Sequence, residues 1–205
     1  MRKIVLYPGG FKPFHDGHMS LLGQLASGND IFGINEIRII ISNKKRGHIE
    51  AETTAWFLKH IDWSQLPFTV RYVICDMVSP IAYCYKLASD EFAGNQYNSY
   101  ALLSSDKDGD NKRSVDFYKS YQEDGKYYNV AFQNHSFLIP KMVVEPLYYE
   151  NRGDEYDGQP LSSTVIRNDI ANEDFTKFRM SYYYMLSKGM VDDEILTQYW
   201  TKLST

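Results

Sequence analysis

The stretch KIVLYPGGFKPFHDGHMSLLGQLA, residues 3–26, decides the fold. It opens on KIVLY, an apolar run with the look of a buried strand. It closes on Met19, Leu21, Leu22 and Leu25 at helical spacing, and SGND (27–30) then breaks the helix. Between strand and helix lie Gly9, Gly10 and two of the chain's 5 histidines, His15 and His18, set around Gly17.

The same alternation continues outward. EIRIIIS (36–42) reads as a second strand, buried on both faces, and EAETTAWFLKH (50–60) as a helix with Ala51, Thr54, Phe57 and Leu58 inward. FTVRYVI (68–74) is a third strand. SPIAYCYKLAS (79–89) begins a helix, with Ser79 as N-cap and Pro80 at the first helical position. YALLS (100–104) is a fourth strand and MVVEP (142–146) a fifth. A short helix is expected near 114–121, a loop over 150–160, a serine-capped helix over 162–171, and helix over most of 175–205. The expected fold is α/β: a Rossmann-like five-stranded parallel sheet with helices on both faces, plus a helical C-terminal segment. Residues 1–175 would form the domain, and 176–205 an extension packed on it. Ligands of such sheets bind at the carboxyl ends of the strands, where strand order reverses. GGFKPFHDGH leaves the first strand at that edge.

Composition narrows the classes. At 205 residues the chain suits one domain with a short appendage, large enough to need no disulfide or metal staple. A net charge of −4 and a pI near 5.7 give no basic face for duplex nucleic acid. Cys75 and Cys84 are the only cysteines, the usage of a reduced compartment. The first residues lack the apolar run and cleavage site of a signal peptide, and no run reaches the ~20 apolar residues of a membrane span. A cytoplasmic protein is expected, with neither nucleic acid nor membrane as partner. Its oligomeric state is left open, a homo-oligomer included. The 17 tyrosines suit surfaces, interfaces or pocket walls, or reflect genome bias.

The chemistry of the first stretch follows from its parts. Gly9 and Gly10 let backbone turn and approach a ligand closely. His15 and His18 fall at a helix N-terminus, whose unpaired N–H groups and partial positive charge favour phosphate. Imidazole N–H donors would add directed bonds to charge that develops during reaction. Zinc fits less well: helical pairs favour an i, i+4 spacing, and no third ligand lies near. Incidental loop histidines are the bland reading. Near the other end, LSSTVIR (161–167) offers Ser162 as a cap, hydroxyls on Ser163 and Thr164, and Arg167 one turn on to reach an oxyanion. Alone, it is a plain capped helix.

Together the two stretches resemble the HxGH nucleotidyltransferase superfamily. Its first motif reads approximately G-x-F-x-P-x-H-x-G-H, matched here by Gly9, Phe11, Pro13, His15, Gly17 and His18. Its second reads approximately I-S-S-T-x-x-R, matched by LSSTVIR with Leu161 in place of isoleucine. The resemblance covers about residues 1–175. It further points to SNKKRGH (42–48), where a basic residue often holds phosphate: Lys44, Lys45 and Arg46 are candidates, against a solvated basic turn. Lys12, where relatives commonly carry aspartate, would contact phosphate or face solvent. SSDKDGD (104–110) stands where relatives carry G-x-D, so Asp106 is carried over with Ser104 replacing the glycine. That run is no calcium loop, because its sixth and twelfth positions are Asn111 and Phe117. The RGD at 152–154 is taken as an accident of an acidic loop.

The resemblance implies transfer of a nucleoside monophosphate. An acceptor phosphate attacks the α-phosphorus of a nucleoside triphosphate and pyrophosphate leaves. His18 would steady the α-phosphate, His15 the phosphate chain, and Ser163, Thr164 and Arg167 the β- and γ-phosphates. Gly9, Gly10, Phe11, Asp106 and Ser162 would complete the nucleotide site. Lys44 would assist catalysis, and Lys12, Lys45 and Arg46 would bind the acceptor. Mg²⁺ would bridge phosphate oxygens. Cytidylyltransferases typically precede the second motif with an Arg-Thr pair; YDGQPLSST (156–164) has none, which favours ATP and an acceptor such as nicotinamide mononucleotide. CTP with a small alcohol phosphate, or a non-catalytic nucleotide-binding relative, are the alternatives. Class I aminoacyl-tRNA synthetases share H-x-G-H, but the chain is too short for their tRNA-binding domains.

Overall fold

A computed structural model describes residues 1–94, 97–105, 111–128, 135–139 and 161–205. Strands β1 (Arg2–Gly9), β2 (Ile34–Ile41), β3 (Thr69–Ile74) and β4 (Asn98–Leu102) form the sheet. Among the described residues it is four-stranded and parallel, in the order β3-β2-β1-β4. The segment expected as a fifth strand, 142–146, and the loop expected over 150–160 lie outside the described residues. At β4's outer edge Ser136 makes an isolated parallel bridge to Tyr100, whose carbonyl accepts the Phe137 N–H at 3.0 Å.

The chain steps from β1 out to β2 and β3, then crosses back to place β4 on β1's other side. The reversal opens a crevice between the carboxyl ends of β1 and β4. Helices close both faces, and alternation along β1 sends its side chains to each. Val5 and Tyr7 join Ile37, Ile39 and Ile41 in one buried cluster, against α1 (Asp16–Ser27) and α3 (Ala51–His60). Ile4 and Leu6 join Ile40 in a second, against α4 (Pro80–Gly94) and α5 (Asn111–Ser120). Ser79 caps α4 as expected, its hydroxyl accepting the Ala82 N–H at 3.3 Å.

Two local features differ from the sequence reading. The SGND break contains a single helical turn, α2 (Asn29–Phe32), ended by Gly33 at φ +61, a conformation glycine adopts without strain. The second strand is not apolar throughout: Glu36 is 0% exposed. Its charge is met by Arg2 and Arg38, with Arg71 at 3.6 Å, and Arg38 also pairs with Glu91. A buried carboxylate persists only with such partners.

Beyond α6 (Ser163–Ala171) the chain forms α7 (Phe175–Met180), α8 (Tyr183–Ser187) and α9 (Asp193–Ser204). Their buried Phe178, Tyr182, Met185, Leu196, Tyr199 and Leu203 share one cluster with α1 and α3. The Phe57 and Tyr199 rings stack at 4.0 Å and 3°, and Tyr182 meets Phe57 edge-on at 5.5 Å. Tyrosines thus fill the core as well as the surface. Phe57→Ala removes the ring on which α8 and α9 converge and should cost about 4 kcal/mol, the scale of a large aromatic truncation. The check is a lowered urea midpoint with an unchanged m-value.

Candidate active site

The site begins where β1 ends. Phe11 sits at φ +51, a left-handed backbone unusual for a bulky residue. The turn folds its ring back into the core, edge-on to Tyr7 and to His18, each at 5.0 Å. A Cβ at Gly9 would stand 2.6 Å from that ring, which is why glycine is required there. The next carbonyls are then tied down one by one. Phe11 O accepts the Thr54 hydroxyl at 2.7 Å, Lys12 O the Arg167 Nη1 at 2.7 Å, and Pro13 O the Ser163 hydroxyl at 3.1 Å. One donor comes from α3 and two from α6, so the loop is held from both sides.

His15 is the N-cap of α1, and it uses its ring as the cap. Its Nδ1 accepts the Gly17 N–H at 3.0 Å, and the His18 backbone N–H also turns to it. In return His18 Nδ1 accepts the His15 N–H at 3.3 Å. The two rings lie 3.9 Å apart, with Phe14 stacked on His18 at 5.3 Å. An Nδ1 that accepts a backbone N–H carries no proton, so each neutral imidazole holds its proton on Nε2. This modifies the expectation from sequence. The Gly17 and His18 amides of α1 are taken up by the cap, and on each histidine the ring nitrogen turned away from it is Nε2. Gly17 is needed for the same reason: a Cβ there would lie 2.7 Å from the His15 ring and 3.2 Å from Leu161 O.

His15 is 3% exposed and His18 half-buried. His18 lines a cavity of about 250 Å³ at the reversal crevice, with Gly9, Gly10, Ser104, Ser105 and Arg113. A larger cavity, about 550 Å³, lies between Arg46, Arg167, Ile170, Phe175 and Trp200. The smaller one is lined by the histidine and is the better candidate for chemistry; the larger is lined by Arg167.

The second stretch meets the first across the loop. The Ser162 hydroxyl caps α6, accepting the Val165 N–H at 3.4 Å. Thr164 Oγ1 accepts Arg167 Nη2 at 2.9 Å. Burial, with Arg46 nearby, holds the Arg167 guanidinium below its usual pKa. The structure therefore ties the two motifs together through Ser163 and Arg167, with Thr164 bonded to Arg167. Gly9, Gly10, Phe11 and His18 line the smaller cavity and Arg167 the larger, while His15 caps α1 and Ser162 caps α6. The basic turn is more divided. Arg46 lines the larger cavity beside Arg167. Lys45 pairs with Glu50, which raises its pKa, and Lys44 is exposed. Lys12 does not face solvent: at 1% exposure its ammonium donates to Ser42 O at 2.6 Å and to Lys44 O. Burial lowers its pKa. It holds the 42–44 turn against the loop. Asp106 lies outside the described residues.

Arg113, Thr54 and Asp16 are site residues that the motifs did not single out. Thr54 reads only as an inward position, and Arg113 follows a polar stretch with no pattern of its own. Trp56 and Trp63 pack on the core cluster.

No protein-family model matches the chain, and no curated protein does. Solved structures do. The chain is similar to nicotinic acid mononucleotide adenylyltransferase of Plasmodium falciparum complexed with NaAD, at 15% identity and a TM-score of 0.52, over 92% of this chain and 96% of that one. The complex of that enzyme with APC gives 16% identity and a TM-score of 0.54 over the same shares. The chain has their fold. At such identities the likeness is one of architecture.

The cap geometry predicts that ring ¹⁵N shifts of His15 and His18 report the Nε2–H tautomer for both. Gly17→Ala should abolish that signature at His15 by pushing the ring out of its cap. A retained His15 signature in Gly17→Ala would contradict the packing described.

Proposed function

We propose that this chain is a nucleotidyltransferase that moves AMP from ATP onto a phosphate-bearing acceptor, nicotinic acid or nicotinamide mononucleotide, and releases pyrophosphate. The observation that carries the reading is the pair of Nε2–H imidazoles at the start of α1, one of them lining the reversal crevice. The motif resemblance and the fold shared with an adenylyltransferase point the same way. No helix among the described residues is long and apolar enough to cross a membrane.

In this reading an acceptor phosphate oxygen bonds to the α-phosphorus while the bond to the β-phosphate oxygen breaks. Such an acceptor is already a nucleophile near neutral pH, so the protein supplies position and charge. His18 Nε2–H donates to the α-phosphate as charge builds. His15 fixes that ring and donates to the phosphate chain. Ser163, Thr164 and Arg167 hold the β- and γ-phosphates, with Gly9, Gly10 and Phe11 shaping the nucleotide's approach. Arg46, which lines the larger cavity beside Arg167, would meet a second phosphate, the acceptor's, with Lys44 as its neighbour in the basic turn. The donors around His18 are N–H groups and hydroxyls, a set suited to phosphate oxygens rather than to a cation. Mg²⁺ would therefore ride on the triphosphate and neutralise part of its charge.

The test is pyrophosphate release with Mg²⁺, crossing ATP and CTP against both pyridine mononucleotides, phosphopantetheine and glycerol 3-phosphate. Release from ATP with a pyridine mononucleotide is expected, and EDTA should abolish it. Release from CTP alone would move the reading to a cytidylyltransferase. His18→Ala should lower kcat about 10²–10³-fold, the scale of one lost oxyanion donor, with the fold intact. Arg167→Ala should raise KM for ATP about tenfold, as loss of a charged hydrogen bond does. Unchanged kinetics in either variant would remove that residue from the site.

A further inference from the structure

Asp16 stands between the two histidines, at the first position of α1. A carboxylate there ordinarily stabilises its own helix. Here it would also repel the phosphate that the histidines are proposed to bind. The structure gives its charge another partner. Asp16 is fully buried; its Oδ2 accepts the Tyr184 N–H at 2.6 Å and its Oδ1 the Met185 N–H at 3.2 Å. Its own N–H donates to Ser181 O at 3.2 Å. Those are the first amides of α8, whose N-cap Tyr182 offers no side-chain cap bond. Both carboxylate oxygens are thus engaged by a helix start about 170 residues away in sequence. Asp16 is also peptide-bonded to both residues whose rings and amides form the cap, His15 and Gly17.

We infer that Asp16 is a positioning residue: its carboxylate locks the start of α1, and with it His15 and His18, against the first turn of α8. The catalytic half of this statement rests on the proposed phosphate role of the histidines. A carboxylate is needed because two N–H groups require two acceptors. An asparagine supplies one oxygen and sets its NH₂ against a backbone N–H.

The test compares the full chain with Asp16→Asn and Asp192→Ala. Asp192 caps α9 through the Ile195 N–H at 2.8 Å, so its loss loosens the same C-terminal segment without touching α1. Two readouts are taken: steady-state pyrophosphate release, and hydrogen exchange of the Gly17 and His18 amides in the unliganded protein. Asp16→Asn should lower kcat about 10- to 100-fold, the effect of a misplaced catalytic group, while KM for ATP stays within about threefold. It should also speed exchange of those two amides at least about tenfold. Asp192→Ala should leave kcat and both exchange rates near wild type. Unchanged exchange in Asp16→Asn, or equal effects in the two variants, would overturn the assignment. Should the wild type release no pyrophosphate on any substrate pair, the proposed function falls, and the exchange rates alone decide whether Asp16 sets the start of α1. Should Asp16→Asn not fold, Asp16→Ser, which keeps one small acceptor, enters the same comparison.

Discussion

The reciprocal cap between His15 and His18 is the constraint on which the rest of the site depends. Histidine is an uncommon N-cap, since serine, threonine, aspartate and asparagine do the same task with smaller side chains. What the imidazole adds is a second nitrogen. One face of each ring satisfies the helix start, and the other carries a proton whose position the first bond dictates. The positive end of α1 is thereby expressed through two ring N–H donors rather than through bare amides. The arrangement tolerates no Cβ at position 17, because the ring of His15 fills that space.

Holding such a cap in place takes the rest of the fold. The loop that delivers His15 passes through a left-handed phenylalanine, and three successive carbonyls are bonded by α3 and α6. Lys12 turns inward to fasten the basic turn, and Asp16 turns to α8. The result concentrates cationic groups around the loop. Lys12 and Arg167 both lose some of their proton affinity to burial, and the charge of Arg46 adds to that in each case. Around Lys12 the charge of Arg46 is opposed by Glu52 and Glu50, whereas Arg167 feels burial and Arg46. A cation in the second setting is stabilised by an anion.

Much of this was legible in the sequence, for definable reasons. The four strands and α1, α3, α4 and α6 were readable because buried parallel strands are near-continuous apolar runs and the helices between them keep a regular apolar spacing. His15, His18, Ser163, Thr164 and Arg167 were readable because two short patterns fall in order at strand–helix or loop–helix junctions. Other features were hidden in long-range pairing. Glu36 falls in a strand read as buried on both faces, and only the arginines that surround it explain how a carboxylate persists there. Lys12 reads as a phosphate ligand or a solvent-facing charge, and only the carbonyls of Ser42 and Lys44 explain its burial. Asp16 reads as a helix-start acid, because nothing in the local pattern announces α8. Arg113 carries no pattern at all, since its position depends on how α5 crosses the end of β4.

The loop carbonyls and the helix that ties them have a consequence for synthesis. Pro13 and Ser163 are separated by 150 positions, Lys12 and Arg167 by 155, and Asp16 and Met185 by 169. The first motif leaves the ribosome well before the groups that fix it. A nascent chain can pair β1 with β2 and β3 long before it owns a site. Contacts this distant make folding slow relative to chains with local contacts. The loop that carries the histidines is fixed only once those distant contacts close, so an incomplete chain carries the motif's sequence without its geometry.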